Sequence, residues 1–180
     1  MVRSRPSDWL LVASVLSMGG CREVPPAREV AVDVGRPASP AEVRALSRTV
    51  FPSGRGLPAG HGTVAEGQVL YAARCAPCHG PALEGRGDFP ALAGGRGTLG
   101  TASPQLTVGS YWPTATTLFD YVRRAMPYDA PGSLSDDQVY ALTAWLLAAN
   151  DILPGGGDLD AEKLRGVEMP NRAGFLRGDE

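Results

Sequence analysis

The residues best placed to do chemistry in this chain stand together as Cys75-Ala76-Pro77-Cys78-His79. Two thiols three positions apart can reach the two vinyl groups on one edge of a porphyrin, and the next side chain then turns under the macrocycle to offer an imidazole to iron. That spacing is the one read as covalent c-type haem attachment. Other uses of a Cys-x-x-Cys pair fit less well. A thioredoxin-like redox pair needs a βαβ setting that this helix-and-loop sequence lacks. A zinc site needs four ligands, yet only His61 remains once Cys75, Cys78 and His79 are counted, and adjacent Cys78 and His79 rarely serve one ion. A disulfide closing so tight a loop is disfavoured by bridge geometry.

Iron held in this way has a sixth position, and few side chains could fill it. The other histidine is His61, and the methionines downstream of the motif are Met126 and Met169. Met126 follows a helical stretch and precedes Pro127 and a polar turn, where a loop could fold back over the far face of a haem. A single Met is ordinarily core filler, but this setting suits a filler poorly. We therefore expect Met126 as the ligand, with Met169 (read as part of a surface tail), His61 or an open position as the alternatives. A soft, neutral thioether favours Fe(II) and raises the reduction potential, and a filled position excludes oxygen and peroxide. His79 and Met126 together are a site for relaying single electrons. An open iron would instead mean a haem enzyme or a gas sensor.

The flanking pattern supplies the elements that must position these groups. Val64, Gly67, Val69, Leu70, Tyr71 and Ala73 are compatible with a helix ending at Arg74, which delivers the chain to Cys75. Gly80 to Pro113 is glycine-rich and without sustained periodicity, hence loop. Leu118, Phe119, Tyr121 and Val122 recur at helical spacings within Thr114–Ala125, and Pro127 stops that helix. Ser135 is a good N-cap, Asp136 and Asp137 suit a first turn, and Val139, Leu142 and Leu146 form an apolar stripe with Trp145 beside it, giving a third helix to about Asn150. The expected domain is 63–153. Residues 21–62 read as a Pro/Gly-rich tether with a helical hint at Ala41–Ser47, leading into an irregular wrap, and 154–180 as an extended tail over the surface.

With 43% hydrophobic and 20% charged residues, 23 Gly, 16 Pro and a net charge of −2, the 180 residues suit one small globular domain with irregular flanks. A charge so near balance, without clustered Lys and Arg, argues against nucleic-acid or polybasic membrane binding. Arg3 and Arg5 precede an apolar stretch from Trp9 to Met18, too short to span a bilayer and running into Gly19-Gly20-Cys21. Residues 1–20 thus read as an export signal. Small residues directly before a cysteine resemble the lipobox of bacterial lipoproteins, which makes Cys21 a lipid anchor on the periplasmic side of a membrane. An uncleaved signal anchor or ordinary cleavage nearby are the alternatives.

Taken in order, helix, C-x-x-C-H, loop, helix, Met-Pro and final helix resemble a class I cytochrome c domain, an all-α fold of three to four helices around one haem. The resemblance implies that Gly67 on the first helix lets Trp145 of the last pack against it, and that Pro90 supplies a carbonyl to the other ring nitrogen of His79, fixing its tautomer. A narrower resemblance rests on Phe51-Pro-Ser-Gly-Arg-Gly-Leu-Pro-Ala-Gly-His-Gly62, Thr107-Val-Gly-Ser-Tyr-Trp-Pro113, Thr117-Leu-Phe-Asp-Tyr-Val-Arg-Arg-Ala-Met-Pro127 and Met169-Pro-Asn-Arg172. These stretches look like the cytochrome subunits of sulfur-compound dehydrogenases, particularly those of the Sox sulfane dehydrogenase type. In such enzymes a molybdenum subunit oxidises sulfite or protein-bound sulfane sulfur and the cytochrome removes the electrons, so the resemblance implies a partner. The chain departs in having one C-x-x-C-H where some members carry a second haem domain, and in its lipid anchor. A free-standing lipoprotein cytochrome feeding a terminal oxidase is the other electron-carrying reading. Trp112, with Tyr111, could be a plain core aromatic or could donate its indole N–H to a haem propionate. Arg96 or Arg123 could pair with a propionate, since a buried carboxylate needs donors, while Arg124 reads as a solvated face.

Overall fold

Polar side chains set where five of the helices begin. In the computed structural model, which describes residues 35–153 and 157–175, Ser39, Thr63, Thr114, Ser135 and Asp160 each accept a backbone N–H of the turn that follows. They open helices α1 (Pro40–Leu46), α2 (Val64–Arg74), α4 (Ala115–Ala125), α5 (Asp136–Ala148) and α6 (Ala161–Gly166). The short α3 (Ala76–His79) follows α2 directly and opens on Cys75. Ser39, Thr63 and Ser135 complete capping boxes with Glu42, Glu66 and Gln138. Every one of these helices lies in the compact unit that begins at Ala38.

The packing centre is the crossing of α2 on α5, and a missing side chain makes it possible. A Cβ on Gly67 would lie 2.8 Å from Trp145 Cβ and nearer still to the Ala141 carbonyl oxygen, so only glycine lets the two backbones approach this closely. Trp145 meets Gly67 as expected, although the Ala141 backbone is the tighter neighbour. α4 adds Phe119, whose ring centroid lies 4.5 Å from that of Tyr140 on α5, with both residues fully buried. The expected wrap is ordered where it touches α4 and α5. Val50 is buried and its N–H donates to Asp120 Oδ1 at 2.7 Å, Thr116 Oγ1 donates to the Pro52 carbonyl at 2.9 Å, and the Tyr140 hydroxyl to that of Pro58 at 2.8 Å.

The C-terminal segment corrects the expectation of an extended surface tail. Strand β2 (Asp158–Asp160) pairs antiparallel with β1 (His61–Thr63), in register Gly62 to Leu159, and α6 follows at once. Leu159, Leu164 and Met169 are all buried in the core. Three apolar residues spaced five apart form neither a helical stripe nor a strand alternation, so their burial is decided by what they land on.

The loop from Gly80 to Pro113 is as irregular as expected, with one isolated bridge between Arg86 and Phe89 among its described residues. It is nevertheless tied down. Leu83 is buried at φ +62°, a conformation uncommon for a branched residue, and its carbonyl accepts from Leu92 N–H at 2.8 Å. Further along, the Thr107 hydroxyl donates to the Gly94 carbonyl at 2.6 Å while Ser110 Oγ accepts from Thr107 N–H at 2.9 Å.

Candidate functional site

α2 and α3 present the motif residues. Cys75 is both the last cap of α2 and the start of α3, so the break between the helices coincides with the first thiol. The Tyr71 hydroxyl, one turn earlier, donates to the Gly80 carbonyl at 2.7 Å and closes the far end of α3 onto α2. His79 Nδ1 lies 2.9 Å from the Pro90 carbonyl oxygen. A carbonyl only accepts, so Nδ1 carries the proton and the Nε2 lone pair is left free to coordinate. Phe89, beside Pro90, stands edge-on to the imidazole with ring centroids 6.3 Å apart.

These groups open onto one cavity of about 710 Å³, within the roughly 300–1,000 Å³ common for cofactor sites. Cys75, Cys78, His79 and Pro90 line it together with Trp112 and Met126. Much of the remaining wall is apolar, with Leu92, Val108, Leu118, Val122, Leu142 and Leu146 among its residues. Met126 is the C-cap of α4, where the chain turns from helix to extended backbone. Two free thiols, an imidazole with Nε2 deprotonated and a thioether on one apolar cavity form a donor set that fits an iron porphyrin.

Electrostatics argues the same way. Burial pushes the Cys75 thiol up to about 11; Arg74 pulls against that shift and Cys78 adds to it. A redox-active or zinc-binding thiol needs the opposite, a thiolate near neutral pH. Among the described residues no group of three or more His, Cys, Asp or Glu could hold a metal ion.

The cytochrome c family profile matches residues 64–150. A chain in the crystal structure of the sulfane dehydrogenase SoxCD from Paracoccus pantotrophus is 43% identical and superposes with a TM-score of 0.76, covering 82% of this chain and 73% of that one. The chain is a class I cytochrome c. No curated protein matches it in sequence. As a member of that family this cytochrome binds haem c covalently and transfers electrons.

Several residues of this cytochrome stand apart from the cavity. Met169, expected on a surface tail, is 4% exposed in the core beneath the C-terminal segment and does not line the cavity; nor does His61, which is exposed on β1. Arg123 is engaged elsewhere, its Nε 2.8 Å from Asp136 Oδ1 and its Nη1 donating to the Arg48 carbonyl at 2.9 Å. Arg96 donates to the Asn150 carbonyl. Arg124, read as a solvated face, is half-exposed but ion-paired with Asp120 one turn back, a buried carboxylate that also holds Val50. Trp112 remains on the cavity wall with its ring 5.5 Å from that of Tyr121. Cys21 lies outside the described residues.

Sequence reasoning missed the roles of Tyr71 and Leu92, and Phe89 and Tyr128 at the cavity wall. Only Tyr71 had a usable signal, since four residues before Cys75 on a helix puts it on the same face. The others come from loops whose course has no periodicity to read.

Proposed function

We propose that this cytochrome accepts single electrons from a molybdenum-containing sulfur-compound dehydrogenase on the periplasmic side of a bacterial membrane, held there by a lipid on Cys21. Cys75 and Cys78 carry the haem through thioethers, His79 is the proximal ligand and Met126 the distal one. The bound haem supplies a reversible one-electron iron couple. Pro90 holds the His79 proton at Nδ1, so Nε2 would be the nitrogen that holds the iron. As a neutral sulfur donor Met126 would favour the ferrous state, and the apolar side chains of Leu92, Val108, Leu118 and Leu142 on the cavity wall would disfavour the added charge of the ferric one. Trp112, on the cavity wall, would donate its indole N–H to a propionate.

One observation carries the choice of partner. Likeness to the SoxCD chain covers 82% of this sequence, far beyond the residues 64–150 that match cytochromes c in general. The likeness therefore reaches into the residues that flank 64–150, which a generic electron carrier does not need. The test is to mix the purified ferric protein with a sulfite- or sulfane-oxidising molybdenum enzyme and follow haem reduction optically. Two molecules should be reduced per sulfite oxidised, because each takes one electron. Reduction no faster than that of an unrelated cytochrome would reject the partner and leave the cytochrome intact.

A further inference from the structure

A ligand at the first residue of a loop is held only as well as the loop. Met126 begins the segment 126–135 between α4 and α5, and that segment's own order is slight: Ala130 N–H donates to the Pro127 carbonyl at 3.0 Å and Ser133 N–H to that of Ala130 at 3.3 Å. Leu134 is buried, but Tyr128 is 76% exposed. What joins the two ends is Arg123, three residues before Met126 in the last turn of α4. Its Nε pairs with Asp136, the first residue of α5, at 2.8 Å, and its Nη1 reaches the Arg48 carbonyl of the wrap at 2.9 Å.

The Arg123 side chain is only 12% exposed, so this is no surface pair exchanging freely with water. A planar guanidinium can serve two acceptors on two separate segments at once, which an ammonium on a flexible stem cannot do in the same geometry. Asp136 also opens α5, at the helix end whose dipole favours a negative charge.

We infer that Arg123 is a positioning residue for the distal sulfur: with Asp136 and Arg48 it ties α4, α5 and the wrap together around the Met126 loop and keeps the thioether over the iron. This rests on Met126 as the distal ligand. In energetic terms Arg123 stabilises the closed loop against an open one in which the iron is available to other ligands.

The test uses the ferric holoprotein, following the near-infrared methionine–iron charge-transfer band while imidazole is titrated in. Arg123→Gln and Asp136→Asn should each bind imidazole about tenfold more tightly, because apparent affinity scales with the population of the open loop. Arg123→Lys should recover part of the difference by pairing with Asp136 alone. Tyr140→Phe, which loses the bond to Pro58 away from this loop, should lower the denaturation midpoint without changing imidazole affinity. Parent-like imidazole affinity in both Arg123→Gln and Asp136→Asn, with only the denaturation midpoint lowered, would overturn the inference. A band that survives in Met126→Ala would defeat the ligand reading beneath it, a separate outcome.

Discussion

Two methionines competed on paper for one iron position, and their surroundings separate them. Met126 lines the cavity that Cys75, Cys78 and His79 share, whereas Met169 is packed in the core. Met126→His should keep the iron six-coordinate but lower its potential, because imidazole supports Fe(III) better than a thioether does; redox titration beside an optical spectrum checks both. Met169→Ala should leave spectrum and potential unchanged but cost about 2–5 kcal/mol by opening a cavity, read from chemical denaturation. Loss of the methionine–iron band in Met169→Ala would reverse the assignment. Tyrosine burial sets a second expectation. Tyr71 and Tyr140 are pushed up to about 12, in both cases mainly by burial, from the ordinary value near 10. The folded state therefore holds these protons more tightly than the unfolded chain. Their contribution is complete below about pH 10 and is lost as pH rises toward 12. Denaturation midpoints from pH 8 to 11.5 should fall steeply above pH 10, and less steeply in Tyr71→Phe or Tyr140→Phe. Equal slopes in parent and variants would refute the link. The sequence singled out Cys75, Cys78 and His79 because the chemistry fixes their spacing, and Met126 because so few donors exist, and all four line one cavity. Arg123 was not, since a sequence does not say which carboxylate a guanidinium will meet.

Elements were legible where period and cap coincided. Ser135 with Asp136 and Asp137 announced α5, and Thr114–Ala125 became α4 within one residue. The loop 80–113 was legible as loop, but neither its internal ties nor the course of 158–169 was, because their order comes from side chain–backbone bonds such as Thr107 to Gly94 and from one three-residue strand pairing. A close crossing gives the sharpest expectation at this scale. Gly67→Ala should gain up to about 1 kcal/mol in helix propensity but drive a methyl into the Ala141 backbone, a strain of about 1–3 kcal/mol or more that forces α2 from α5. The net effect should be a lower denaturation midpoint and a perturbed haem spectrum, since α2 carries Cys75. A more stable Gly67→Ala protein would show that the crossing is looser than described.

Across the molecule, the wrap and the C-terminal segment turn a minimal haem domain into a larger body. Val50, Leu159, Leu164 and Met169 all enter the same core as Phe119 and Tyr140. The widest expectation concerns location. If Cys21 carries lipid, the mature protein should partition into detergent and show an acylated N-terminus by mass analysis, and Cys21→Ser should do neither. A mature chain that begins elsewhere with a free amine would remove the anchor while leaving the haem chemistry untouched. Acid–acetone extraction tests that haem chemistry most directly. Protein made with a haem-attachment system should retain its haem in the precipitate, and retention should be compromised in Cys75→Ala and Cys78→Ala, each of which loses one thioether. Complete release of haem from the unaltered protein into the solvent would contradict covalent attachment at Cys75 and Cys78.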